Sequence, residues 1–168
     1  MGGSLGAVQI NSLVKENLSW LKENFFVVHQ TGKQWAEELL PLADEDYHPF
    51  AFIYNEMPDV VACADVVFSR AGSNSLWECA VSKKPLVLVP FSGSGTRGDQ
   101  VENAAFFEKN GAAIVLGGKH SDGSNTMEAT GENLKNALQD LLDEKKRKMY
   151  SVNVEKLVGN NKPAEYIA

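Results

Sequence analysis

The sequence predicts an α/β domain, a Rossmann-like doubly wound parallel sheet with helices on both faces. Three observations predict it: short apolar runs that recur along the chain, amphipathic stretches between them, and glycine-rich polar turns where several runs end.

The runs are Phe25-Phe26-Val27-Val28-His29, Phe50-Ala51-Phe52-Ile53, Asp65-Val66-Val67-Phe68, Pro85-Leu86-Val87-Leu88-Val89 and Ala112-Ala113-Ile114-Val115-Leu116. They are rich in β-branched and aromatic residues and apolar on both faces, as strands sandwiched between two helix layers must be. Helical periodicity fills the intervals at 7–21, 60–64, 76–81, 101–107 and 134–142. Strand and helix therefore alternate, which is the pattern of a parallel sheet. Residues 117–131, enriched in Gly, Ser, Asp and Asn, read as a long surface loop. The mixed charges of 143–148 read as a solvated helix surface.

With 168 residues and 43% hydrophobic content, the chain can bury one sizeable core, so 1–168 is expected to form a single domain. A net charge of −6 gives no general basic field, which argues against nucleic acid as a partner while leaving room for a local diphosphate pocket. Cys63 and Cys79 lack CxxC spacing and clustered His, so both are expected to be core thiols rather than zinc ligands. No segment reaches the roughly 18 apolar residues that a membrane span needs. No charged-then-apolar leader opens the chain.

The turn Gly2-Gly3-Ser4-Leu5-Gly6-Ala7 leads straight into an amphipathic helix. Its free N–H groups and the positive end of the helix dipole could cradle a diphosphate, or Ser4 could simply cap the helix. Such a turn belongs after a central strand, and only Met1 precedes it. A mid-sheet strand is thus expected to come from a longer protein or from another chain.

Two further turns follow strands. Ser69-Arg70-Ala71-Gly72-Ser73-Asn74-Ser75 opens a helix carrying Glu78. Ser75 and Glu78 have capping-box spacing, yet a carboxylate beside a nucleotide crevice could equally accept both ribose hydroxyls. The stretch from Pro90 to Asn103 brings Asp99 and Glu102, again at cap spacing, with Gln100 and Asn103. Amides that both donate and accept suit sugar hydroxyls. Open α/β sheets bind ligands at the carboxyl ends of their strands, so three polar turns at one rim carry more weight than any one alone.

Taken in order, the Gly2–Ala7 turn, His29-Gln30-Thr31-Gly32-Lys33, Ala64-Asp65-Val66-Val67 through Arg70-Ala71-Gly72 to Glu78, and Pro90-Phe91 through Asp99-Gln100-Val101-Glu102-Asn103-Ala104 resemble the C-terminal domain of the MurG family. These are bacterial UDP-N-acetylglucosamine transferases that convert lipid I to lipid II in peptidoglycan synthesis. The resemblance covers about residues 1–150. It implies the C-terminal, donor-binding half of a GT-B glycosyltransferase, with an inverting reaction, no obligatory metal, and no catalytic residue within this half.

The resemblance also assigns residues. Gly3, Ser4 and Gly6 would contact the diphosphate. Phe52, Ile53 and Met57 fall in the segment that lines the uracil pocket. Arg70 and Gly72 lie in the signature turn, and Ser73 would offer its backbone N–H. Glu78 would take the ribose hydroxyls, while Asp99, Gln100 and Asn103 would read the N-acetylglucosamine hydroxyls. The partners implied are UDP-N-acetylglucosamine, an N-terminal acceptor domain, and a lipid-linked acceptor reached through it. The implied location of the full-length protein is cytoplasmic, peripheral at the inner face of the membrane.

Asp99-Gln100 replaces a frequent pair of glutamines, and the 92–97 loop is long, so sugar specificity is open. A UDP-N-acetylglucosamine 2-epimerase half shares the layout, but no His or carboxylate pair beyond Asp99 and Glu102 supplies its acid and base. A non-catalytic donor-binding subunit of a split glycosyltransferase is a further alternative. A dinucleotide domain would want an acidic residue after His29, and none is there. His29, His48 and His120 show no spacing that suggests catalysis and are read as structural or exposed.

Overall fold

A computed structural model describes residues 8–91 and 98–160. Gly3, Ser4 and Gly6 lie outside the described residues, as does the 92–97 loop. In chain order the elements are α1 (Val8–Glu16), α2 (Leu18–Asn24), β1 (Val27–Gln30), α3 (Lys33–Leu39), a short 3-10 turn (Leu40–Leu42), β2 (Tyr47–Phe50) and α4 (Met57–Cys63). They continue with β3 (Val67–Ser69), α5 (Ser73–Val81), β4 (Leu86–Leu88), α6 (Asp99–Lys109), β5 (Ala113–Val115), α7 (Gly131–Asp140) and α8 (Glu144–Asn160).

All pairing among the five strands is parallel. β1 pairs with β2, with Val27 opposite Tyr47. β4 lies between β3 and β5, with Leu86 opposite both Val67 and Ala113. Among the described residues the sheet is thus in two sections, β2-β1 and β3-β4-β5, rather than one continuous ladder.

β4 shows why the chain folds in layers. Leu86 and Leu88 point into a cluster with Leu76, Cys79, Phe107 and Val154, from α5, α6 and α8. Val87 and Val89 alternate to the opposite face, against Ile10 and Leu13 of α1 and Leu134 and Leu138 of α7. Leu86, Val87, Leu88 and Val89 are each at most 1% exposed. Burying an aliphatic side chain this fully stabilises by about 1.5–3 kcal/mol, so β4 anchors both helix layers.

Several boundaries depart from the sequence reading. The helix expected over 7–21 breaks at Asn17, whose side-chain amide donates to Leu13 O at 2.9 Å while its own N–H reaches back only to Val14 O. A side chain that bonds the preceding turn competes with helix propagation. The strand expected at 50–53 lies three residues earlier, at Tyr47–Phe50. Asp44 Oδ1 accepts the N–H groups of Asp46 and Tyr47, which turns the chain into the strand there. Pro49, lacking an N–H, is tolerated because β2 is an edge strand. Helix α3 was not read from the sequence at all. It starts at Gly32, whose φ of 79° suits glycine, and its periodic stretch is only seven residues long.

The two cysteines also separate. Cys79 is buried, and burial pushes its thiol up to about 11, so it stays protonated. Cys63 is exposed, contrary to the expected core position. The short α4 buries Val61, and a residue two places on points roughly to the opposite side of the helix. The 143–148 run is solvated at Lys145, Lys146 and Lys148, but Arg147 is half-buried. Its guanidinium donates to Leu141 O and Leu142 O, both at 2.8 Å, closing the carboxyl end of α7. No helix among the described residues is long and apolar enough to cross a membrane.

Candidate functional site

The turns after β3 and β4 meet at the carboxyl rim of the sheet. Asn103, on α6, donates from Nδ2 to Ala71 O at 3.1 Å and to Ser73 Oγ at 3.2 Å. Gln100, one turn earlier, accepts the Phe91 N–H at Oε1 over 3.0 Å. Its Nε2 faces Gly72, 3.9 Å from where a Cβ would stand. Four of the predicted residues, Gly72, Ser73, Gln100 and Asn103, are therefore neighbours, and the amides of Gln100 and Asn103 also stitch the turns together.

Neither helix that starts here has a side-chain cap. α5 begins after Gly72 in extended conformation, and α6 after Gly98 in the left-handed region at φ 80°. Both leave first-turn N–H groups and the positive dipole ends directed at the rim. The two capping readings made from spacing are corrected by this. α5 begins at Ser73, so Ser75 lies inside the helix and cannot cap it. Glu78 is then an exposed carboxylate on the second turn of α5. Asp99 likewise is the first helical residue of α6, after the cap. Asp99 is exposed.

Arg70 stands at the centre. Its Nη1 donates to Gln9 Oε1 at 3.1 Å and to Val89 O at 3.2 Å, and its guanidinium carbon lies 5.4 Å from the centre of the Phe91 ring. These partners are a neutral amide, a carbonyl and a π face. Among the described residues no carboxylate forms an ion pair with it. Burial lowers its pKa from the ordinary value, yet a guanidinium keeps its charge throughout the working range. The result is a half-buried cation flanked by two uncapped helix starts.

The other section of the sheet supplies the neighbouring wall. The Ile53 N–H donates to Gln30 Oε1 at 3.0 Å, which holds the segment after β2 against the end of β1. Phe52 is exposed and packs on Tyr54 with ring centres 4.5 Å apart. Met57, at the start of α4, is half-buried and packs against the α5–α6 cluster, so it supports the wall from behind.

Sequence reasoning missed the polar network beneath this rim. Asn11 on α1 is fully buried; its Nδ2 donates to Thr31 O at 2.8 Å. Asn11 Oδ1 lies 2.9 Å from His29 Nε2, and Tyr47 Oη lies 2.9 Å from His29 Nδ1. Burial drives the His29 pKa down to about 3, so the ring is neutral. It donates to Asn11 from Nε2 and accepts the Tyr47 hydroxyl proton at Nδ1. The network ties α1 to the ends of β1 and β2. The signal was an Asn on the apolar stripe of an amphipathic helix, and a His inside a strand. His48 packs on Phe26, and His120 pairs with Glu108 at 2.7 Å on the surface.

Parallel strands whose carboxyl-side turns converge beside uncapped helix starts define a Rossmann-type ligand-binding domain. Residues 1–162 match the glycosyltransferase family 28 C-terminal domain, and the chain belongs to that family. It is 44% identical over 129 residues to the UDP-N-acetylglucosamine–N-acetylmuramyl-(pentapeptide) pyrophosphoryl-undecaprenol N-acetylglucosamine transferase of Treponema denticola, covering 71% of this chain and 33% of that protein. A Bacillus cereus relative of the same name, numbered 2, is 46% identical over 116 residues, covering 69% and 33%. The chain thus spans about a third of the length of these relatives. The crystal structure of Acinetobacter baumannii MurG superposes with a TM-score of 0.73 at 26% identity, over 93% of this chain and 44% of that one. The rice protein Os79 shares the fold at 16% identity and a TM-score of 0.70, over 95% of this chain and 35% of that one. The expected GT-B C-terminal architecture agrees with the MurG superposition.

Proposed function

We propose that this domain binds the UDP moiety of UDP-N-acetylglucosamine and presents the sugar to an acceptor held by a separate N-terminal domain. The observation that carries this reading is Arg70, a half-buried cation with neutral partners between the uncapped starts of α5 and α6. A diphosphate fits that field, since helix N-termini and guanidinium groups both favour it. Glu78, exposed on α5, accepts the two ribose hydroxyls, and Phe52 and Ile53 flank the base, with Met57 behind them. Ser73, Asp99, Gln100 and Asn103 face the sugar and β-phosphate, and Gly3, Ser4 and Gly6, outside the described residues, are assigned to the diphosphate by the family resemblance alone.

The relatives are named for N-acetylglucosamine transfer, and the inverting course follows from the family resemblance. An acceptor hydroxyl attacks the anomeric carbon from the face opposite the diphosphate and forms the new glycosidic bond. The bond from that carbon to the β-phosphate oxygen breaks, and UDP leaves with the electron pair. The acceptor's proton passes to a base on the acceptor domain, because this half contributes binding rather than proton transfer. Arg70 and the helix dipoles stabilise the charge that grows on the diphosphate. The acceptor is undecaprenyl-pyrophosphoryl-muramoyl-pentapeptide, so the whole enzyme works peripherally at the cytoplasmic face of the membrane.

Thermal-shift and calorimetric titrations with UDP-N-acetylglucosamine, UDP-glucose, UDP and NAD test the reading. Uridine nucleotides should raise the melting temperature with occupancy and NAD should not. Binding should survive EDTA, since Arg70 and the dipoles supply the positive charge. Absence of any shift with all three uridine nucleotides removes the proposal.

A further inference from the structure

β1 ends on Gln30, a polar residue only 6% exposed. Its Oε1 accepts the Ile53 N–H at 3.0 Å. The backbone just after it holds the same segment: the Thr31 N–H donates to Phe50 O at 2.8 Å and the Gly32 N–H to Ala51 O at 3.1 Å. Three anchors thus fix residues 50–53 at the point where β2 stops. The first two are backbone groups, which any residue but proline supplies. The third is a side chain, so the setting of the Phe52–Ile53 peptide depends on the residue at position 30.

A peptide group is planar and trans, so its N–H and C=O point in opposite directions. With Ala51 O turned to Gly32, the Phe52 N–H faces away from the end of β1. With the Ile53 N–H turned to Gln30, Phe52 O faces away as well. One residue therefore presents a donor and an acceptor side by side, and among the described residues neither has a partner. The complement of such a pair is an N–H beside a C=O, as on the N3–O4 edge of uracil. Cytosine carries a bare N3 beside an amino group on that edge, which sets acceptor against acceptor and donor against donor.

We propose that Gln30 is the positioning residue that makes the base site select uracil over cytosine, a role that rests on the base lying beside Phe52 and Ile53 as proposed above. Gln30 touches no part of the nucleotide in this role. It acts through the Phe52–Ile53 peptide, which it holds with the Phe52 carbonyl outward. Without an acceptor at position 30, the Ile53 N–H is left unpaired in a half-buried place, and the peptide turns to satisfy it. Uracil then loses the acceptor for its N3–H, and cytosine loses the carbonyl that opposed its N3. The affinities for the two bases converge.

Calorimetry with UDP, CDP and inorganic pyrophosphate tests this on the 168-residue chain and two variants. Gln30→Met keeps the length of the side chain and removes the acceptor, whereas Gln30→Glu keeps an acceptor oxygen. The parent should prefer UDP to CDP by about tenfold or more. Gln30→Met should cut that preference about fivefold, the equivalent of one neutral hydrogen bond, and leave pyrophosphate binding unchanged. Gln30→Glu should restore the preference. A preference untouched in Gln30→Met, lost equally in both variants, or lost together with pyrophosphate binding overturns the role of Gln30 while leaving UDP binding by the parent intact. A parent that binds no uridine nucleotide removes the base site and this role together. Should Gln30→Met not fold, NMR on the parent decides: UDP, and not pyrophosphate, should shift the Phe52 carbonyl carbon, and the Ile53 amide should exchange slowly with and without UDP. An unmoved Phe52 carbonyl or a fast-exchanging Ile53 amide overturns the proposal.

Discussion

The guanidinium of Arg70 lies over the face of Phe91, and the Phe91 N–H is in turn held by Gln100. The cation is thus positioned by a ring whose own backbone is fixed from α6. Replacing Arg70 by Ala should weaken UDP binding by tenfold or more, since a hydrogen bond to a charged group contributes about 1.5–3 kcal/mol. Arg70→Lys should recover part of the loss, because it keeps the charge but not the fork. Calorimetry with UDP and with uridine separates the effect, as uridine binding should be unchanged.

Glu78→Gln addresses the ribose. The side chain is exposed on α5, so stability should change by no more than about 0.5 kcal/mol. UDP affinity should fall several-fold while inorganic pyrophosphate binding stays the same. Equal losses for both ligands would place Glu78 outside the ribose site.

His29 makes stability depend on pH. Its folded pKa, about 3, lies below the ordinary 6.5, so the unfolded chain binds the extra proton first. The neutral ring's contribution is fully present above 6.5 and is lost progressively as pH falls toward 3. The slope is about 1.4 kcal/mol per pH unit, so roughly 3 kcal/mol should be gone by about pH 4.5. Urea unfolding across that range measures it, and His29→Gln should flatten the curve there.

Asn11 is the next link of the same network. Asn11→Ala removes the acceptor for His29 Nε2 and the donor to Thr31 O, leaving buried polar groups unpaired. The cost should be about 1–3 kcal/mol. Nitrogen NMR should find His29 in the Nε2–H form in the parent protein. The Nδ1–H form would contradict the assigned direction of the bonds.

The alternation that reveals the layered fold is plain at 85–89 and 112–116, where apolar runs are bounded by Gly, Pro or Lys and have buried neighbours on both sides. It is misleading at 50–53, because the true strand begins at Tyr47 after an Asp44 turn and contains a proline. The rim residues Arg70, Gly72, Gln100 and Asn103 were legible from glycine turns and family order, and they converge in space. Their internal bonds were not legible, since Asn103 binding Ala71 and Gln100 binding Phe91 depend on how three distant turns are brought together. Spacing also suggests helix caps at Ser75 and Asp99, but glycine caps each helix and moves the start earlier, by three residues in α5 and by one in α6. The exposure of Cys63 depended on where the short α4 begins, which its composition does not fix.

Asn103 serves the architecture twice, once as a rim amide and once as the tie between Ala71 and Ser73. Any exchange made there to retune sugar choice would also slacken the neighbouring loop, so gains in selectivity would be entangled with losses in grip. Asp99, exposed one turn earlier, carries no such double duty among the hydrogen bonds described above, which makes it the more evolvable position for diversifying the donor.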